Sequence, residues 1–267
     1  MTEKKGSRTV SKIGSGKLPY THDPRTFHLA KYINDETIKT VPAECNWGRK
    51  IKRGGWGTFA NLKINNCTCA AAAHLMMTWT SSIGKLYQPT TKAVVEAYTH
   101  LTGYDPKKDG IGNPVEARKA LKYWRKHGIA DRKIIAFAKL DFKDREQLKQ
   151  AIYFYGGCYV GINLPKSAEK QYNKNKKWTM PRGGAKGFGE KGSWIGHALI
   201  INGYKNDELQ AITWGKKIIM TLDFWETYVD EAYAIFSDDF ISNKETPTKM
   251  SVDVLRKDIR ELKKRED

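Results

Sequence analysis

The sequence predicts an α+β fold, with a mostly helical half followed by a strand-rich half. Before residue 156, apolar residues recur at helical spacing in four segments. From Cys158 onward, short apolar runs are separated by turn residues, the pattern of strands and hairpins. Elements grouped in this way favour α+β over alternating βαβ units.

The chain of 267 residues is long enough to bury a sizeable core, as one large domain or two small ones. Its 47 Lys and Arg against 29 Asp and Glu give a net charge of +18, dispersed along the chain. That charge favours acidic partners and gives only non-specific, salt-sensitive attraction to nucleic acid. No apolar run approaches a membrane span, and no secretory leader is evident, so a membrane partner is not expected. The four cysteines, Cys45, Cys67, Cys69 and Cys158, read as reduced thiols in a cytoplasmic or particle-associated setting. Neither their spacing nor the acidic loop 105–110 suits a metal, and no cofactor is expected.

In chain order, residues 1–16 read as a basic flexible arm, and 17–25, with Pro19 and Pro24, as extended chain. Residues 26–33 suit a short helix or strand. Residues 34–57 are irregular, with glycines for tight turns ahead of the central helix. That helix begins near Cys67, capped by Asn65 or Asn66, and continues through four alanines that permit close packing. Further helices are expected over 91–102, over 114–127 with Asn113 as cap and Pro114 first, and over 144–155, ended by Gly156-Gly157. Strands are expected over 133–140 and 158–164. A long, polar, exposed loop is expected over 165–192. Strands then follow over 197–204, 209–214 and 217–221, with a short helix at 222–228 and a last strand at 231–237. A polar extension, 241–267, carries an amphipathic helix with Val252, Leu255, Ile259 and Leu262 on one stripe. The domain proper is therefore 17–240. No internal repeat is present.

The chemistry centres on Cys67. A cysteine in the first turn of a helix sits at the positive end of the dipole, which favours the thiolate. A thiol nucleophile also needs a base from another element and donors for an oxyanion. Of six histidines, His197 is best placed, because it opens a hairpin after Gly196, a residue that permits close approach. His74 is two turns beyond Cys67 on the same helix and reads as packing.

The chain resembles the papain-like cysteine protease superfamily. The resemblance is carried by Asn66-Cys67-Thr68, by Gly196-His197-Ala198 running on to Gly203-Tyr204, and by Thr213-Trp214-Gly215. It extends to peptidase-like proteins encoded by bacteriophages and bacteria, through the Lys17-Leu18-Pro19 arm, Tyr123-Trp124-Arg125 and Glu231-Ala232-Tyr233-Ala234.

The resemblance implies a papain-like fold with its site in a cleft between the helical half and a β-barrel-like half. Cys67 would be the nucleophile and His197 the base. Asn61, six residues before Cys67, would supply one oxyanion donor, and Trp214 would cover His197. The substrate would be a peptide or protein. The resemblance also implies a phage- or prophage-encoded origin. An alternative use of the same fold is a non-catalytic virion or cargo component, docked on an acidic assembly through the arm and the C-terminal helix.

Two departures stand out. Thr68 follows Cys67 where the family has Trp. The position of the family's histidine-orienting Asn holds Ile212, and Thr213 should face the opposite side of its strand, so no orienter for His197 is expected. The resemblance therefore implies either a peptidase or amidase working with a Cys-His dyad or a catalytically impaired relative.

Overall fold

A computed structural model describes residues 14–24, 26–31, 40–241 and 246–248. Strand β1 (Glu44–Asn46) precedes helix α1 (Cys67–Ser82), which is followed by α2 (Thr91–Thr102) and α3 (Ala117–Lys126). Strand β2 (Ala136–Lys139), helix α4 (Arg145–Tyr155), strand β3 (Cys158–Leu164) and helix α5 (Lys166–Asn173) come next. The chain then forms β4 (Ile195–Lys205), β5 (Glu208–Thr213), β6 (Lys216–Thr221), helix α6 (Leu222–Tyr228) and β7 (Val229–Phe236).

All pairings between named strands are antiparallel, in the order β2-β7-β3-β4-β5-β6, with β1 added beside the far end of β4. The path has two ends and does not close, so an open sheet replaces the expected barrel. Both faces are covered. Tyr159, Ala198, Ile200, Ile212 and Tyr233 pack toward α1, α2 and α3, while Val160, Leu199, Ile201, Ala211 and Ala232 pack toward α4, α5 and α6. Burial on both faces is why β3 and β4 are nearly continuous apolar runs.

Helix α1 is buried over residues 67–81, because its alanines let neighbours close in on every side. Helices α2 and α4 follow their local signals. The Thr90 side chain caps the first and Asp144 caps the second, and left-handed Gly103 and Gly156 end them.

Three sequence expectations are corrected. Helix α3 starts at Ala117 rather than Pro114, because Val115 is drawn into a parallel bridge with Lys17 and must stay extended. The expected loop 165–192 contains α5 and the fully buried Trp178, whose indole N–H donates to Ala168 O at 3.1 Å. Asn66 stands at the N-cap of α1 without capping it, because its amide instead donates to Phe59 O at 2.7 Å. The C-terminal helix and residues 1–13 of the arm lie outside the described residues, whereas residues 14–18 are docked on the domain.

Candidate active site

The approach to Cys67 is an unusual loop. Phe59 and Ala60 both adopt left-handed backbone conformations, with φ of 49° and 64°. Side-chain-bearing residues pay about 1–2 kcal/mol each for that region. The Asn66 amide pins the carbonyl of Phe59, and the N–H of Asn61 donates to Thr58 O at 2.8 Å. Asn61 is buried, and its Nδ2 makes a long, 3.4 Å bond to Ile64 O. Among the described residues no hydrogen bond joins Asn61 to Cys67.

Cys67 opens α1 and is buried. Its Sγ accepts from the N–H of Ala198, the residue after His197, at 3.3 Å. Cys67 thus comes from the helical half and His197 from the strand-rich half, and the sulfur touches the backbone of the residue that follows His197. Burial pushes the Cys67 thiol up to about 12, while the Ala198 N–H, the Lys17 charge and the first amides of α1 act in the opposite direction. Cys69 is raised equally by burial but has no backbone N–H directed at it. This asymmetry separates the two adjacent thiols.

His197 is also buried. The ladder between β4 and β5 ends at the pair Ile200–Ile212, and beyond it the strands meet through side chains. There Nε2 of His197 lies 2.6 Å from Thr213 Oγ1. The expectation that no side chain orients His197 is therefore corrected. Ile212 packs against the α1 side, so strand alternation puts Thr213 on the other face, and that is the face His197 occupies. The β5 alternation fixes the face of Thr213, whereas the face that His197 shares with it follows from the pairing of β4 with β5. Nδ1 of His197 makes no hydrogen bond among the described residues.

Trp214 covers the ring, with centroids 4.3 Å apart and planes inclined by 26°. It sits in a two-residue turn between β5 and β6, with φ of 49° at Trp214 and 71° at Gly215. Tyr172, Trp178 and Trp194 surround it. Burial drives His197 down to about 3, with His74 adding a smaller push. The resting pair is therefore a neutral thiol and a neutral imidazole. His74 is held by a 3.0 Å contact between Nε2 and Gly57 O and packs between Trp56 and Phe59, consistent with a packing role.

Residues 14–18 cross the site. Lys17 N–H donates to Gly196 O, Val115 N–H to Gly16 O and Leu18 N–H to Val115 O, at 3.1–3.2 Å. Ser15 Oγ accepts from Gly196 N–H at 3.1 Å. A Cβ on Gly16 would lie 2.7 Å from Cys67 Sγ, so bare glycine backbone lies directly against the sulfur. A Cβ on Gly196 would lie 2.5 Å from Lys17 O, which gives that glycine its packing reason.

No family model and no curated protein sequence matches the chain. Solved structures do. Xylellain, a cysteine protease from Xylella fastidiosa, aligns with a TM-score of 0.61 at 14% identity, over 85% of this chain and 97% of that one. The procathepsin B S9 of Trypanosoma congolense gives 0.54 at 11% identity, over 87% and 89%. A mite-allergen structure, from work on Blo t 1 and Der p 1, gives 0.50 at 19%, over 85% and 76%. The chain thus has the α+β fold of the papain-like cysteine proteases. No helix among the described residues is long and apolar enough to cross a membrane.

Proposed function

We propose that the chain is a cysteine peptidase acting on peptide or protein substrates, with Cys67 as nucleophile and His197 as base. The observation that carries this reading is the contact between the Cys67 sulfur and the head of β4, the strand that bears His197. The Cys67 sulfur is bound by the N–H of Ala198, and the neighbouring His197 is held by Thr213 under the Trp214 ring.

In this reading the Nε2–H of His197 donates a hydrogen bond to Thr213 Oγ1, which leaves the unprotonated Nδ1 to take the thiol proton. Cys67 Sγ then attacks the scissile carbonyl carbon. The Cys67 N–H, at the free end of α1, and the Asn61 amide hold the oxyanion. Collapse expels the amine, which leaves with the proton from His197. Water, deprotonated by the same imidazole, then cleaves the thioester and releases the acid. Trp214 excludes solvent from the ring.

The test is hydrolysis of a mixed fluorogenic peptide library by wild type, Cys67→Ala and His197→Ala. Loss of turnover in both variants, with unchanged melting, supports the reading. Turnover that survives Cys67→Ala overturns it. The particle-docking alternative rests on termini that lie outside the described residues, apart from 14–16, and those three sit in the cleft.

A further inference from the structure

The geometry points to a lysine-recognising subsite beside Cys67, occupied at rest by the chain's own Lys17, so that residues 14–18 act as an internal pseudosubstrate for peptides carrying lysine at the same place. This deepens the peptidase reading and rests on it for the nature of the substrate.

Lys17 is the least expected residue in the interior. Its side chain is 0% exposed, although a lysine is almost never fully buried without compensation. Here the compensation is complete. Nζ lies 3.0 Å from Asp230 Oδ2, 3.0 Å from Glu231 Oε1 and 2.7 Å from Leu18 O. Those three acceptors match the three donors of one ammonium group.

The acids are themselves held in place. Asn163 Nδ2 donates to Asp230 at 3.0 Å, and the Tyr233 hydroxyl donates to Glu231 at 2.7 Å. Burial raises the Glu231 carboxyl, and the Lys17 charge and the Tyr233 hydroxyl act against that rise. The floor is Gly161, which pairs with Ala198 on one side and Glu231 on the other. A Cβ there would come within 2.3 Å of Lys17 Cε, so the absent side chain is what lets the lysine stem through.

The backbone around Lys17 is bound as a peptide ligand would be. Gly196, next to His197, accepts from it on one side, and Val115 of the helical half pairs with its neighbours on the other. Gly16 lies against the sulfur, and its carbonyl accepts from Val115 N–H and from no amide of α1 among the described residues. The segment therefore fills the cleft without presenting a bond for attack. The site supplies two carboxylates, and the ligand's own next carbonyl completes the set around one ammonium. That arrangement suits a compact lysine head and not the planar fork of arginine, so lysine should be preferred.

The experiment uses the full chain carrying Gly16→Val, which expels the segment by steric conflict with Cys67 and leaves Asp230, Glu231 and Gly161 intact. The readout is the rate of Cys67 alkylation by iodoacetamide at neutral pH, followed by mass spectrometry. The probes are the hexapeptide Gly-Ser-Gly-Lys-Leu-Pro, which repeats residues 14–19, and its norleucine and arginine analogues. Gly16→Val is expected to alkylate about tenfold faster than wild type or more, since the accessible state is no longer a minority. The lysine peptide should suppress that rate, the analogues should not, and adding Glu231→Gln should remove the suppression. Lys17→Ala provides a second route to the open state if Gly16→Val folds poorly. Equal protection by the norleucine peptide overturns the proposal, as does alkylation no faster than wild type in both variants. None of these readouts needs turnover. Protection without hydrolysis would count against the peptidase reading alone, and hydrolysis without lysine preference would count against the subsite alone.

Discussion

Thr213 Oγ1 lies 2.6 Å from Nε2 of His197, and both residues are buried, the imidazole under the Trp214 ring. A hydroxyl thus stands where the resemblance leads one to expect a carboxamide. It is a neutral partner that can accept a hydrogen bond from the Nε2–H, and it holds the ring by that single bond with no formal charge.

That relationship predicts a graded series. Thr213→Val keeps the shape and removes the bond, and the turnover number should fall about tenfold to a hundredfold. Thr213→Ser should retain most of it, while KM should change little in either, because the residue acts through the imidazole and not on the substrate. A Thr213→Val enzyme with unchanged turnover and pH profile would remove Thr213 from the machinery.

The covering indole predicts a titration. His197 is driven to about 3 by burial, and Trp214 supplies one face of that burial. In Trp214→Ala water reaches the ring, and its titration midpoint, read by NMR of the imidazole C–H signals, should rise toward about 6.5. Loss of a fully packed indole should also cost about 3–5 kcal/mol in urea unfolding. A midpoint that stays near 3 would assign the depression to other walls of the site.

Stability should depend on pH through the two buried histidines. Burial lowers His74 to about 4 and His197 to about 3, from an ordinary value of 6.5. As pH falls, the unfolded chain takes up these protons first. Their contribution is therefore fully present above about 6.5 and is lost as pH falls toward the two folded values. Between about 6.5 and 4 the combined slope approaches about 2.7 kcal/mol per pH unit, two groups at ~1.36 each. Urea midpoints measured from about pH 7.5 to 4.5 test this, and His74→Gln should roughly halve the slope. A flat profile would mean that one or both rings are protonated in the folded state.

Much of this is legible in the sequence. Helical and strand periods locate α2, β3 and α6 to the residue, because local caps and turns agree there with tertiary packing. Cys67 and His197 are legible because helix start and hairpin start each carry their own signal. What local reading misses is set by distant partners. Val115 pairs with Lys17, and this keeps Pro114 out of a helix it is otherwise suited to begin. Trp178 is buried against Trp214 and Phe224, and that contact orders a stretch whose composition is polar. The Thr213–His197 bond requires knowing which face of β4 the histidine shares with β5, and composition cannot supply that. Lys17 reads as extended arm in the sequence, because a buried lysine makes sense only once Asp230 and Glu231 are known to surround it.

The loop before α1 predicts opposite signs for stability and activity. Ala60 holds a left-handed conformation, with φ of 64°, that glycine adopts without penalty. Relief of that strain in Ala60→Gly exceeds the entropy that a glycine adds to the unfolded chain, for a net gain of about 0.5–1 kcal/mol. The loop would also lose the side chain that narrows its choices. Asn61, the next residue, has only a 3.4 Å bond from its amide to Ile64 O to fix its direction, so a looser backbone lets that amide wander. Urea midpoints should rise in Ala60→Gly while turnover falls several-fold, and the Asn61→Ala enzyme should be slower still. The two changes should not multiply in the double variant, since both act on one donor. If Ala60→Gly is instead destabilised, the left-handed backbone is being favoured by contacts of the alanine methyl. If turnover is unchanged, the loop does not position a group the reaction uses.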